Sequence, residues 1–495
     1  MDTSTSARRG LRTIAGALAA CAVLFLPACS TATVVAGHGV SPINDPNHVG
    51  DLPAADGPSG IKDGAPAATG TVQNTDHGDI DKLVLLAVND LADYWQKTYP
   101  TTDFKGKFTP VPNLASYDAR DPSSPQMCGE DTYRLVNAFY CPPDNLMAWD
   151  RGVLVPAGRK YFGDISVAGL ISHEYGHAIQ RMAKIVTKKS PVVVREQQAD
   201  CFGGAYLYYV AAGESTRFQV STGDGLNHVL AGLITLRDPT MGPDDSDQLE
   251  DGHGTALDRV SAFQIGFTAG PQACAKIDMA DIQRRRQGLP MELDNEPDRD
   301  SERRGTDVPL DQGVFTVLVD TLNAVFQPKN PPKVSFDPAG CADAKGGSPA
   351  SYCPATNTIV LDLPELQKLG KPADETKQKL LLQGDNTALS IVASRYVLAV
   401  QHEKGVTLTG GPAALRTACL TAVAERNMVK PVQTASGQNL TLAAGDLDKA
   451  VAGLLTNGIA ATDVNGDGVI AGFTRIAAFR AGLVGDEAGC YDRFA

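Results

Sequence analysis

Val167-Ala-Gly-Leu-Ile-Ser-His-Glu-Tyr-Gly-His-Ala-Ile-Gln-Arg-Met182 reads as a buried helix carrying two histidines four residues apart. Residues i and i+4 share a helix face, so the imidazoles of His173 and His177 can reach one ion, with Glu174 beside the first of them. A catalytic zinc needs a third protein ligand and a position left open for water. Glu196 is the best candidate, 196 − 177 = 19 residues past the second histidine, in Arg195-Glu-Gln-Gln-Ala-Asp-Cys-Phe-Gly-Gly-Ala205. That segment reads as a second helix following a loop around Pro191. Asp200 lies four residues beyond Glu196 on the same face, where it can hold the outward ring N–H of a ligand histidine and so fix tautomer and orientation. An accidental pair of core histidines would leave Glu196 and Asp200 unexplained.

Working outward, the chain repeats itself. Phe139-Tyr-Cys-Pro-Pro-Asp-Asn-Leu-Met-Ala-Trp-Asp150 recurs as Ser351-Tyr-Cys-Pro-Ala-Thr-Asn-Thr-Ile-Val-Leu-Asp362. Residues 81–95 match 311–325, 163–180 match 384–401, and 259–263 match 475–479, all in one order. Four ordered matches imply a duplicated domain, with copies at 78–300 and 308–495 joined by a charged linker. In the second copy Ser394, Arg395 and Leu398 stand where His173, Glu174 and His177 would be, and no glutamate matches Glu196. That copy is degenerate and cannot bind zinc in this way.

The N-terminus has Arg8, Arg9 and Arg12, an apolar run over 13–26, and then Leu26-Pro-Ala-Cys29. The run is too short for a permanent membrane span and ends in small residues before a cysteine. It resembles a lipoprotein signal over 1–28, which implies cleavage before Cys29, acylation of that thiol, and a mature chain anchored to the cell membrane on its extracytoplasmic side. Residues 29–77 are rich in Gly, Pro, Ala, Ser, Thr and Asp without an apolar period, and read as a flexible tether. Of ten cysteines, Cys21 is in the leader and Cys29 is the lipid site, leaving 10 − 2 = 8, an even number suited to disulfides in an exported chain. The duplication orders them as Cys128 with Cys141, Cys201 with Cys274, Cys341 with Cys353, and Cys419 with Cys490. A net charge of −13 leaves no basic face for nucleic acid.

The segments His173-Glu-Tyr-Gly-His177 and Glu196-Gln-Gln-Ala-Asp-Cys-Phe202, with Cys128-Gly129, Phe139-Tyr-Cys-Pro142, Gly254-Thr255 and Asp258-Arg-Val260, resemble the neutral zinc metallopeptidase family. Within it the likeness is to the lipoprotein peptidases of mycobacteria. The resemblance covers about residues 80 to 280 and implies a helix-rich α+β, zincin-like fold with His173, His177 and Glu196 as zinc ligands. The expected reaction is hydrolysis of peptides or proteins of the cell envelope by zinc-activated water, with Glu174 as general base. Donors that could stabilise the oxyanion are His253, Arg259, Tyr206, Tyr208 and Tyr209. The competing reading is an envelope binding or assembly protein with a structural zinc and vestigial catalysis. An intact Glu174 favours the enzyme, because a structural site has no need of a base beside the metal. Asp463-Val-Asn-Gly-Asp-Gly468 resembles the opening of a calcium loop, but Thr474 replaces the closing glutamate, so an Asx-rich turn is expected there.

Overall fold

Leu83, Val84, Ala87, Val88, Leu91 and Tyr94 recur at helical spacing, and their stripe is buried in the first long helix, α1 (Asp79–Thr98). The computed structural model describes residues 44–240, 252–291, 307–337, 341, 348–373 and 381–495. The expected leader 1–28, Cys29, the start of the expected tether and the charged linker lie outside the described residues. Three two-residue strands precede α1: β1 (His48–Val49), β2 (Leu52–Pro53) and β3 (Gly60–Ile61). After it come β4 (Asn113–Tyr117), β5 (Ala138–Cys141), β6 (Leu146–Asp150), α2 (Leu154–Ala183), α3 (Val192–Ala211), β7 (Phe218–Gln219), α4 (Asp224–Thr235), α5 (Ala256–Ala269), α6 (Pro271–Cys274) and α7 (Met279–Arg286). The second half contains α8 (Gln312–Phe326), β8 (Lys333–Ser335), β9 (Ala350–Cys353), β10 (Thr358–Leu361), α9 (Leu363–Leu369), α10 (Asp385–Glu403), α11 (Gly411–Asn427), α12 (Asp446–Thr456), α13 (Gly472–Val484) and α14 (Glu487–Arg493). The fold is α+β and helix-rich.

Among the described residues each half has one three-stranded sheet. In the first the order is β4-β6-β5, with β4 parallel and β5 antiparallel to β6; in the second it is β8-β10-β9 with the same directions. Tyr140 lies opposite Met147, and Tyr352 opposite Ile359. Disulfides join Cys128 to Cys141, Cys201 to Cys274, Cys341 to Cys353 and Cys419 to Cys490. Helices α3 and α5 cross with their backbones almost touching, since a Cβ on Gly266 would stand 1.7 Å from the Cys201 carbonyl oxygen. Gly482 of α13 meets the Cys419 carbonyl of α11 in the same manner, at 2.0 Å. A side chain at either glycine would force the helices apart and open a void in a close-packed interior.

Residues 44–77 correct the expectation of a tether. Val49 is fully buried, β3 pairs antiparallel with β7, Gln73 bridges Ala115, and the Thr474 hydroxyl donates to the His48 carbonyl at 2.9 Å. The reason is physical: strands this short are held by backbone N–H and C=O groups, which every residue except proline supplies in full, so polar composition does not forbid them.

The halves share one continuous hydrophobic core. The Phe267 and Phe473 rings meet at a tilt with centroids 5.0 Å apart, Gln264 Nε2 donates to the Phe473 carbonyl at 2.9 Å, and Arg480 donates to that of Ser261 at 3.1 Å. In the second half Ser394, Arg395 and Leu398 are buried on α10. The Arg395 guanidinium is held by the Ile459 carbonyl at 2.7 Å, the Thr462 hydroxyl at 2.6 Å and the Asp463 carbonyl at 3.4 Å. The Asp463 carboxylate accepts from the backbone N–H groups of Asn465, Asp467 and Gly410, at 2.8, 2.9 and 2.7 Å, which makes the expected Asx turn.

Candidate metal centre

Helix α2 is broken at Gly163 (φ +81), and its second part, from Asp164 on, carries His173, Glu174 and His177 into the core. Its partner is α3, which approaches so closely that a Cβ on Gly176 would lie 2.9 Å from the Ala199 Cα. This crossing sets Glu196 and Asp200 of α3 opposite the two histidines. His173 Nε2 lies 3.1 Å and His177 Nε2 3.4 Å from the same oxygen, Glu196 Oε2. Ligand atoms of the three residues all fall within 4.8 Å of one another.

The other ring nitrogen of each histidine is held from behind. His173 Nδ1 lies 2.7 Å from Asp200 Oδ1. Asp200 also receives the Arg259 guanidinium, Nε to Oδ2 at 2.9 Å and Nη2 to Oδ1 at 2.7 Å, so it is an ionised acceptor and the proton of His173 sits on Nδ1. His177 Nδ1 faces Gln180 Oε1 at 3.1 Å. The amide nitrogen of Gln180 donates to the Arg195 carbonyl at 2.6 Å and to Gln198 Oε1 at 3.2 Å, which fixes its oxygen toward the imidazole. With the ring protons on Nδ1, both Nε2 atoms could turn their lone pairs to a metal ion at the point where the Glu196 oxygen meets them. Metal–ligand bonds of about 2.0–2.1 Å in a tetrahedron put neighbouring ligand atoms about 3.3 Å apart, close to the distances found.

The surrounding carboxylates favour positive charge at this point, whether a proton on an imidazole or a metal ion. Burial opposes charge on His173, but Asp200 and Glu196 outweigh it and lift its pKa to about 10. Despite burial, Glu196 is held well below the usual carboxylate range by the two imidazoles, and Asp200 is held down by Arg259 and His173. Glu174 goes the other way, since burial pushes its pKa up against the pull of both histidines. Its Oε2 accepts the Tyr140 N–H at 3.0 Å from β5, an edge strand, while its Oε1 stands 4.0 Å from His173 Nε2. One oxygen is thus anchored and the other faces the site.

His253 comes to the rim, half-exposed, with Nε2 at 3.6 Å from Glu196 Oε2 and Nδ1 at 3.5 Å from Asp238. Arg259 does not qualify as an oxyanion donor: it is buried, and its three nitrogens are engaged by Asp200 and, at 2.5 Å, by the Leu236 carbonyl. The tyrosines are also elsewhere, Tyr206 on Asp90, Tyr208 on Asp51 and Tyr209 beside Lys97. Gln180 and the Tyr140 N–H are functional groups that sequence reasoning missed. An apolar cavity of about 190 Å³ borders His173 and Asp200, walled by Leu154, Phe162, Leu170, Val229, Leu233 and Phe263, with the exposed side chains of Tyr161 and Leu236 among its lining residues.

No family model matches the chain, and no solved structure does. An uncharacterized protein of Mycobacterium tuberculosis (strain ATCC 25618 / H37Rv) is 27% identical over 171 residues, which are 30% of this chain and 57% of that protein. The uncharacterized protein YpfJ of Escherichia coli (strain K12) is 28% identical over 211 residues, 38% of this chain and 68% of that protein. The chain thus spans little more than half the length of its mycobacterial relative.

Proposed function

We propose that this chain is a zinc metallopeptidase that hydrolyses peptides or proteins of the cell envelope, held to the membrane by a lipid on Cys29. The carrying observation is the convergence of two imidazole Nε2 atoms and the Glu196 carboxylate on one point, each imidazole held by an acceptor behind it. His173, His177 and Glu196 would hold the metal. Zinc, when bound there, supplies a Lewis acid that acidifies water and polarises a carbonyl. Among divalent metals, two imidazoles and a carboxylate suit zinc, and three protein ligands leave a position for substrate chemistry.

The chain's own residues divide the remaining work. Glu174 takes a proton through its Oε1 while the Tyr140 N–H keeps Oε2 in position, and then returns the proton to the leaving amine. His253 is the donor candidate for the developing oxyanion, with Asp238 behind it. The apolar cavity beside His173 favours substrates with an apolar side chain next to the scissile bond. The matched strand order, pairing register and disulfides of the two halves support reading 308–495 as a degenerate duplicate of 78–300.

The deciding experiment compares the wild type with Glu174→Gln. Both should take up one zinc, and the variant should lose on the order of 10²–10⁴ of the rate on an unfolded protein substrate, the usual span for a general base. Equal rates reject Glu174 as the base, and a wild type that takes up no zinc rejects the assignment altogether. Cys29→Ala should release the chain from the membrane fraction.

A further inference from the structure

The first turn of α5 is capped from the other half of the molecule. Thr255 Oγ1 accepts the Asp258 N–H at 3.1 Å, and the Asp258 carboxylate returns to the Thr255 N–H at 3.3 Å, a capping box. Two amides of that turn are left over, Ala256 N–H and Leu257 N–H. They are taken by Asp448 of α12, Oδ2 at 3.1 Å and Oδ1 at 3.3 Å. Asp448 is buried, and Arg237 Nε stands 3.8 Å from its Oδ2. One carboxylate of the second half therefore touches two separated points of the first, residue 237 and residues 256–257.

Those two points bracket Arg259. Its Nη1 donates to the carbonyl of Leu236, the neighbour of Arg237, and its backbone lies two residues beyond Leu257. The other edge of its guanidinium holds Asp200, which holds His173 Nδ1. A shift of the bracket moves the guanidinium, and a loosened Asp200 frees the imidazole to turn away from the shared point. Coupling of this kind needs a continuous chain of packed and hydrogen-bonded groups, and here every link has a partner and a distance.

We propose that Asp448 is a positioning residue for the metal centre, so that the second half, which lacks ligands of its own, sets the ligand geometry of the first through Arg237, α5, Arg259 and Asp200. The inference rests on the reading of His173, His177 and Glu196 as a zinc site. The Gln264 contact with Phe473 lies further along α5, outside the bracket of residues 237 and 256–257.

The test uses the full chain and measures zinc affinity by competition with a chelator, together with the visible spectrum of the cobalt-substituted protein. Asp448→Ala removes the cap; Asp448→Asn keeps the shape and one acceptor oxygen should the alanine variant fail to fold. Either should lower zinc affinity on the order of tenfold, the lower end of what loss of an outer partner costs a metal site, and alter the cobalt bands. In an Arg259→Lys background the same substitution should add little, because the route is already cut. Gln264→Leu, which removes an inter-half hydrogen bond off the route, should leave affinity and spectrum as they are. Unchanged affinity in Asp448→Asn, a full additive loss in the Arg259→Lys background, or an equal loss in Gln264→Leu overturns the proposal while leaving the zinc site standing. A wild type that takes up no zinc overturns both.

Discussion

An imidazole can offer its Nε2 lone pair only while Nδ1 carries the proton, and at His173 and His177 the group behind Nδ1 accepts. The two supports differ in kind. Asp200 is charged and itself braced by Arg259, whereas Gln180 is neutral and braced by a backbone carbonyl and Gln198. Gln180→Leu keeps the volume and removes the acceptor, so the His177 ring is free to rotate. Zinc affinity is expected to fall by about 10- to 100-fold, with hydrolysis at saturating zinc largely retained, as measured by chelator competition and rate assays. Unchanged affinity would mean that packing alone orients His177. The four residues His173, His177, Glu196 and Asp200 are legible in the sequence because a helix projects positions four apart onto one face. Gln180 sits at i+3 from His177 and carries the same kind of signal, but a glutamine at that spacing is common on any helix. The Tyr140 N–H has no signal at all, since backbone donors are the same in every residue. Arg259 looked like a free cation because its partner, Asp200, is distant in sequence.

At the scale of elements, the proposed degenerate copy has no ligand set at the positions matching the metal centre. Ala414 and Ala418 occupy the positions of Glu196 and Asp200, counted back from the aligned Cys419 and Cys201, and Arg395 fills the place of Glu174. Glu425 of α11 lies deep in this half, accepting from Ser390 Oγ at 2.6 Å and Asn386 Nδ2 at 3.2 Å. Burial pushes its pKa up to about 8 in spite of both donors. An unfolded glutamate titrates near 4.3, so between roughly pH 4.5 and 8 the folded chain holds a proton that the unfolded chain has lost. Stability from this group is complete below that window and declines by about 1.4 kcal/mol per unit as pH rises through it. Urea unfolding at several pH values should show that Glu425→Gln flattens the decline relative to the wild type. Parallel pH profiles would mean that Glu425 is ionised when folded. Repeated elements such as β5–β6 and β9–β10 were legible because their sequences match. The strands β1 to β3 were not, because two-residue pairings leave no period to detect.

At the scale of the whole molecule, the question is whether the halves are two bodies or one. Val49 near the start of the described chain and Phe494 near its end belong to one hydrophobic cluster, and α12 and α13 pack on α4 and α5 across the boundary. Nothing in the sequences of the two halves announces this packing, because apolar faces that meet another domain look like those that meet their own. A shared core has a thermodynamic consequence. A ligand that binds only the folded state adds RT ln(1 + [L]/Kd), about 2.7 kcal/mol at a hundredfold excess over Kd. If the halves unfold together, zinc bound in the first must stabilise the second as well. Calorimetry is expected to show one transition that moves upward as a unit with zinc and downward with a chelator. Independent halves would instead give two transitions, of which zinc shifts one, and that result would also remove the physical basis for any influence of Asp448 on the metal centre.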